Sequence, residues 1–345
     1  MGNIRTKLGL TRDEERRPMD LNSDSGPSAP SGDVEAAIET RGLTKRFGDR
    51  VAVNNVDLSV PPASAFGFVG PNGAGKTTLI RAILGLTRRA SGTVRLMGYS
   101  MPENHALALA RVGAIVEEPL FHPHLTGREN LEVIAAAREP GAHRRIGPAL
   151  ARVGLADRAD ERVRAYSMGM RQRLGVARCL LADPLLLVLD EPMNGLDPAG
   201  IEEFREMIKG FVNEGRTVFL SSHLLDEVQK TCDRVAIIDQ GDILMQGLVE
   251  DIARRGRPTV RIRCDSADAA ERLLAAHPAV AQMRMADGTL IVALRTEQGI
   301  DTDAAVADMN RLLVEAGVSV FTIEAERVSL EERFLEITSR LEVTG

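Results

Sequence analysis

Apolar residues change their spacing along this chain, and the changes divide it. Up to about residue 36 there is no spacing to read. The stretch Asn22-Ser23-Asp24-Ser25-Gly26-Pro27-Ser28-Ala29-Pro30-Ser31-Gly32 is polar and rich in turn formers, so disorder is expected there. Near-alternation over 51–60, with Val56, Leu58 and Val60 on one face, predicts a strand. An apolar strand, Ala65–Val69, then runs into a glycine-rich turn. The helix expected after it carries Leu79, Ile80, Ile83 and Leu84 on one face and stops at Gly85. Residues 120–177 read as mainly helical. A buried strand at 185–189, a helix, a strand at 217–220, a helix and a strand at 235–238 follow. Strands alternating with helices predict an α/β fold built on a mainly parallel sheet.

The pattern breaks near Gly256-Arg257-Pro258. The remainder reads as strand 259–264, helix 268–276, strand 280–285, a turn at Asp287-Gly288 and strand 289–294. A helix with Val306, Met309, Leu313 and Ala316 on one face, a strand at 318–323 and a last helix from Ser329 complete it. This β-α-β-β-α-β order predicts a split βαβ, ferredoxin-like α+β domain. The expected domains are therefore a disordered extension 1–36, a nucleotide-binding domain 37–257 with a helical part at about 118–180, and a small C-terminal domain 258–345.

Composition removes several function classes. The 345 residues carry 43 basic and 49 acidic side chains, a formal charge of −6, and aromatics make up 3% with no Trp. Neither a positive field for a phosphodiester backbone nor stacking platforms for bases are present, so no nucleic-acid partner is expected. Three dispersed cysteines, Cys179, Cys232 and Cys264, suggest no zinc or redox centre. No apolar run approaches the ~18 residues of a membrane helix. The start Met1-Gly2-Asn3-Ile4-Arg5-Thr6 matches a myristoylation pattern, which we read as coincidental.

The strongest chemical signal is Gly70-Pro71-Asn72-Gly73-Ala74-Gly75-Lys76-Thr77, a phosphate-binding loop between an apolar strand and a helix. Its glycines let backbone amides turn toward phosphate oxygens, and the helix N-terminus adds positive potential. Lys76 supplies a point charge for the β- and γ-phosphates, and the Thr77 hydroxyl suits Mg2+. The second signal is Leu185-Leu186-Leu187-Val188-Leu189-Asp190-Glu191, a buried strand releasing two carboxylates at its end. Asp190 is a candidate magnesium ligand, and Glu191 a candidate base for the attacking water. His223, in Ser221-Ser222-His223, follows another strand. It falls where such sheets bind ligands, and could reach the γ-phosphate or orient Glu191.

Tyr166-Ser167-Met168-Gly169-Met170-Arg171-Gln172-Arg173 resembles the signature motif of ATP-binding cassette ATPases, Gly195-Leu196-Asp197-Pro198 resembles their D-loop, and His223 their switch histidine. The resemblance covers residues 37 to about 250. It implies a P-loop NTPase core of RecA type with an antiparallel β subdomain and a helical subdomain. It also implies ATP and Mg2+ as ligands, and two copies closing head to tail over two nucleotides. Ser167 and Gly169, with Gln172 and Asp197 nearby, would then face the γ-phosphate on the other copy's 70–78 loop, which ends at Thr78. Phe47 matches the adenine-stacking position.

Two departures stand out. Met168 and Met170 replace the usual Gly and Gln of the signature, and Glu117 stands where a magnesium-binding glutamine is usual. Both departures, with Leu125-Thr126-Gly127-Arg128-Glu129-Asn130-Leu131 and Ser329-Leu330-Glu331-Glu332-Arg333-Phe334-Leu335, are similar to a bacterial exporter subgroup that includes antibiotic-resistance and lantibiotic-immunity pumps. That likeness implies an ATPase at the cytoplasmic face of a bacterial membrane, attached through a permease that is a separate chain. The alternatives are a soluble cassette ATPase acting on the ribosome or DNA and a catalytically dead regulatory partner. The single cassette without a basic linker disfavours the first, and the presence of Lys76, Asp190, Glu191 and His223 disfavours the second.

Overall fold

The computed structural model describes residues 35–138, 141–254, 259–286, 288–295 and 301–326. The expected N-terminal extension up to residue 34 and the helix expected from Ser329 lie outside the described residues.

Two sheets share the first part of the chain. Strands β1 (Ile38–Phe47), β2 (Arg50–Val60), β4 (Ser91–Leu96) and β5 (Tyr99–Met101) make an antiparallel sheet of order β2-β1-β4-β5. Strands β3 (Ala65–Val69), β6 (Val112–Ile115), β7 (Leu186–Leu189), β8 (Thr217–Ser222), β9 (Arg234–Asp239) and β10 (Asp242–Leu248) make the larger sheet, ordered β10-β9-β3-β8-β7-β6. It is parallel from β9 to β6, with β10 antiparallel at its edge.

The period of two along its strands splits the interior into two cores. Ala65, Val69, Leu187, Leu189, Val218, Leu220, Val235 and Ile237 face one core. This core is shared with helices α3 (Gly127–Ala136), α4 (Ile146–Arg152), α5 (Met168–Leu180), α6 (Pro198–Asn213) and α7 (Leu225–Thr231). Phe66, Phe68, Leu186, Val188, Phe219, Ala236 and Ile238 face the other core, with α1 (Lys76–Ile83), the short α2 (His105–Leu109) and the antiparallel sheet. The Phe219 ring stacks on Phe66 and meets Phe68 at a tilt, with ring centres 5.9 and 5.8 Å away. Each such side chain, wholly removed from water, contributes about 1.5–3 kcal/mol. Strands apolar on both faces form only where both faces are covered, which explains the 186–189 run; the strand expected from 185 starts one residue later, because Leu185 is 39% exposed before the sheet begins.

The segment expected to be mainly helical is several short helices. Thr126 and Glu129 form a capping box that starts α3, and Gly154, at φ 69°, ends the α4 turn.

After α8 (Val249–Arg254), β11 (Thr259–Cys264), α9 (Ala267–Leu274), β12 (Val280–Ala286), β13 (Thr289–Leu294), α10 (Thr302–Glu315) and β14 (Val320–Glu326) follow in order. Their sheet, β12-β13-β11-β14, is antiparallel throughout and places β11 beside β13, the split βαβ arrangement. It has its own core, including Ile262, Leu274, Val292, Met309 and Leu313. The last strand begins two residues later than the expected 318–323. Gly317 (φ 80°) leaves α10, and Ser319 N–H donates to the Asp265 carboxylate before pairing with β11 starts.

Candidate functional site: a phosphate-loop cleft

The expected chemistry converges because parallel strands deliver their following loops to one edge of the sheet. Strand β3 leads to the glycine-rich loop, β7 to Asp190 and Glu191, and β8 to His223. All five residues of β3 are buried. The chain then turns so tightly that a Cβ on Gly70 would sit 2.1 Å from the Ile238 carbonyl oxygen. Gly75 adopts φ 112° and is the N-cap of α1 without any side-chain cap. The first N–H groups of α1 therefore lack a side-chain acceptor, which is the arrangement that binds an anion.

Lys76 is buried, with its Nζ donating to the carbonyl oxygens of Gly70 (2.7 Å) and Pro71 (3.2 Å). The same Nζ lies 3.1 Å from Glu191 Oε1. Glu191 Oε2 accepts from His223 Nδ1 at 2.9 Å, so one carboxylate is held at both oxygens. Its backbone is fixed too: Glu191 N–H donates to Ser221 Oγ (2.9 Å), and Ser221 in turn donates to Asp190 Oδ1 (2.5 Å). Glu191 has φ 47°, a left-handed conformation that costs a non-glycine residue about 1–3 kcal/mol and persists only where surroundings impose it. The Ser221 and His223 bonds are those surroundings. Ser221, which holds both acidic residues in place, is a residue that sequence reading passed over. Its only signal was a hydroxyl at a strand end facing the acidic strand.

A cleft of about 360 Å³ gathers Asn72, Gly73, Gly75, Lys76, Thr77, Thr78, Glu191 and Phe47, within the size range of small-ligand sites. Arg50 and Ala52 line it as well and were not expected. Phe47 is 55% exposed, with the Lys45 ammonium 4.5 Å from its ring centre. The Thr77 hydroxyl and the buried Asp190 carboxylate are hard oxygen donors that fit Mg2+. Among the described residues no group of three or more His, Cys, Asp or Glu could cage a metal.

The signature residues lie elsewhere. Ser167, Met168, Gly169, Gly195, Leu196 and Asp197 line a separate hollow. Ser167 is the N-cap of α5, its Oγ accepting from Met170 N–H at 3.2 Å, which leaves its own O–H free to donate. Asp197 caps α6 by accepting from Gly200 N–H at 3.0 Å, with Pro198 in the first turn. Met168 packs on Gly195: a Cβ there would be 2.3 Å from the Met168 sulfur. Met170 packs against the helical core. The two unusual methionines are thus explained by local packing.

Two expected residues are placed differently from the rest. Glu117 does not line the cleft; its carboxylate is 63% exposed and pairs with Arg81 at 2.6 Å. Gln172 is buried inside α5, and its Oε1 has no hydrogen-bond partner among the described residues.

Comparison with known proteins agrees with this geometry. The family model described as ABC transporter matches residues 53–194. The chain is 37% identical over 313 residues to an uncharacterized ABC transporter ATP-binding protein, YdbJ, of Bacillus subtilis (strain 168), covering 90% of this chain and 98% of that protein. It is 37% identical over 308 residues to the bacitracin transport ATP-binding protein BcrA of Bacillus licheniformis, covering 88% and 98%. A solved structure described as an ATP binding subunit of an ABC transporter matches with TM-score 0.57 and 28% identity, covering 64% of this chain and 93% of that one. With relatives alike along about nine-tenths of its length, a phosphate loop and a carboxylate held in one cleft, this chain belongs to the ATP-binding, ATPase subunits of ABC transporters.

Proposed function

We propose that this ATPase drives export across a bacterial membrane through a permease on a separate chain, and that it works as a head-to-tail pair. The observation that carries the catalytic part is the Glu191 carboxylate, held 3.1 Å from Lys76 Nζ and 2.9 Å from His223 Nδ1 at the phosphate-loop cleft. In the reaction, Lys76 and the amides at the start of α1 hold the β- and γ-phosphates. Glu191 accepts a proton from water as the water oxygen bonds to the γ-phosphorus. The bond from that phosphorus to the β–γ bridging oxygen breaks, and ADP carries away the electron pair. His223 orients the carboxylate through Nδ1. Mg2+, held by Thr77 and Asp190, would supply charge neutralisation of the phosphates.

Pairing is supported by the separation of the two halves of the chemistry. Ser167 and Gly169 line a hollow distinct from the Lys76 cleft. A second copy, turned end for end, would bring its α5 N-terminus and the Ser167 O–H onto the γ-phosphate. Phe47 would support the adenine ring. The 37–257 and 258–345 division is supported by the separate hydrophobic core after residue 259. We assign the second region to contacts between the two copies, and light scattering of a chain truncated at 258 tests that role.

Membrane attachment through a permease is supported by the described residues, in which no helix is long and apolar enough to cross a bilayer. Export, at the cytoplasmic face, is supported by relatives named for bacitracin, lantibiotic and daunorubicin functions. The test is to find a membrane protein encoded beside this chain and to reconstitute the two together. Mg-ATP should be hydrolysed faster in the complex than by the chain alone; equal rates would remove the transport reading.

A further inference from the structure

His223 sits on the short link between β8, which ends at Ser222, and α7, which starts at Leu225. The seat of α7 therefore helps to decide where the imidazole lies. Helix α7 has seven residues and no side-chain cap, and a helix that short does not hold itself in water. Two neighbouring residues dock it. Val228 is wholly buried and fills the notch left by Gly67 of β3, where a Cβ would be 2.2 Å from its Cγ1. Glu227 Oε2 accepts from Arg205 Nη2 of α6 at 2.8 Å, and the two side chains are only 17% and 14% exposed. Consecutive residues project about 100° apart around a helix, so holding both fixes the rotation of α7 as well as its distance from the sheet. Arg205 also pairs with Glu202, while its Nε is buried with no acceptor among the described residues. Buried N–H groups are normally bonded, so this guanidinium gives up one bond in keeping both carboxylates. Glu202 lies on α6 with Arg205, and Lys230, 3.7 Å from Glu227 Oε1, lies on α7 with Glu227. Those two pairs stay within one helix, whereas Arg205 and Glu227 join one helix to the other.

We propose that Arg205 is a positioning residue for hydrolysis: by clamping Glu227 it fixes the rotation of α7, and so holds His223 Nδ1 against the Glu191 carboxylate. The inference rests on the reading of Glu191 and His223 as the hydrolytic pair. Arg205 lines neither the nucleotide cleft nor the hollow of the signature residues, so it acts on the rate through His223 and not on nucleotide affinity. A pair this far removed from water is screened little by salt, so the clamp persists at ordinary ionic strength.

The test is steady-state Mg-ATP hydrolysis by the full chain, with binding of a fluorescent non-hydrolysable ATP analogue measured beside it. Arg205→Met keeps much of the bulk and removes the charge. It should lower kcat about tenfold, within what misplacing a catalytic group by an ångström or less costs, and leave KM and analogue affinity within about twofold. Arg205→Lys, which keeps the charge, should recover most of the rate. In a His223→Ala background Arg205→Met should lower kcat no further, because no imidazole is left to place. A merely structural role would lower the rate equally with and without His223, and that result overturns the proposal. So does an unchanged kcat in Arg205→Met, or a change confined to KM. Should Arg205→Met not fold, Glu227→Gln, which keeps the shape and weakens the clamp, carries the same comparison. Full turnover in His223→Ala would overturn the reading of the cleft and this inference with it; full turnover in Arg205→Met beside a slow His223→Ala overturns this inference alone.

Discussion

Lys76 Nζ and Glu191 Oε1 form an ion pair across the mouth of the phosphate loop, 3.1 Å apart, with the lysine buried and the glutamate partly exposed. Two residues 115 positions apart in sequence meet because β3 and β7 both flank β8 in a parallel sheet. A buried ammonium needs a counter-charge. Glu191 provides one here, and a γ-phosphate would displace it, freeing the carboxylate for water.

Glu191→Gln keeps the shape and removes the proposed base. Turnover should fall by about two to four orders of magnitude while nucleotide affinity is retained. Steady-state phosphate release together with analogue binding separates these effects, and a variant with normal turnover contradicts the assignment.

In the proposed reaction His223 acts through Glu191, so His223→Ala should lower kcat with little change in KM. Loss of one hydrogen bond to a charged group predicts a fall of about ten- to a hundredfold. A change confined to KM would place His223 on substrate binding instead.

The legibility of this site followed the reach of local sequence patterns. The loop 70–77, the strand before Asp190 and the Gly195-Leu196-Asp197-Pro198 turn are contiguous, and each is found where its pattern placed it. Strand β1 escaped because its alternation is broken: its pairing slips between Thr40 and Leu43, around Gly42 at φ 58°. Ser221 and Arg81 escaped for another reason. Their partners Asp190 and Glu117 lie 31 and 36 residues away, and only folding puts them in contact. Glu117 illustrates the same limit: its motif position suggests a ligand, whereas its bond to Arg81 arises only in the folded chain.

Gly195 stands at φ 72° with the Met168 sulfur where a Cβ would go. Gly195→Ala should destabilise the fold by about 1–3 kcal/mol from strain and clash combined. Adding Met168→Gly should recover the clash part and leave the backbone part. A denaturant-unfolding double-mutant cycle measures this, and strict additivity would show that the two residues do not touch.

Burial pushes the Cys179 thiol up to about 11 and raises that of Cys232 as well. Their thiolates are disfavoured in the folded state, so this contribution to stability is complete below the unfolded thiol value near 9.0 and is lost for Cys179 as pH rises toward 11. Iodoacetamide at pH 8 should modify Cys264, which is partly exposed, and spare Cys179 and Cys232 until the chain unfolds. Mass-mapped labelling of Cys179 in the native protein would contradict its burial.

In the proposed pair, a nucleotide on the Lys76 loop is completed by the Ser167 end of a second copy. The most direct measurement is the mass in solution of the full-length Glu191→Gln protein with Mg-ATP, by light scattering, with bound nucleotide counted in the same peak. A doubled mass with two ATP per pair is expected, and its loss when Ser167→Arg is added. A mass of one chain, or a pair that survives Ser167→Arg with its nucleotide unchanged, would contradict it.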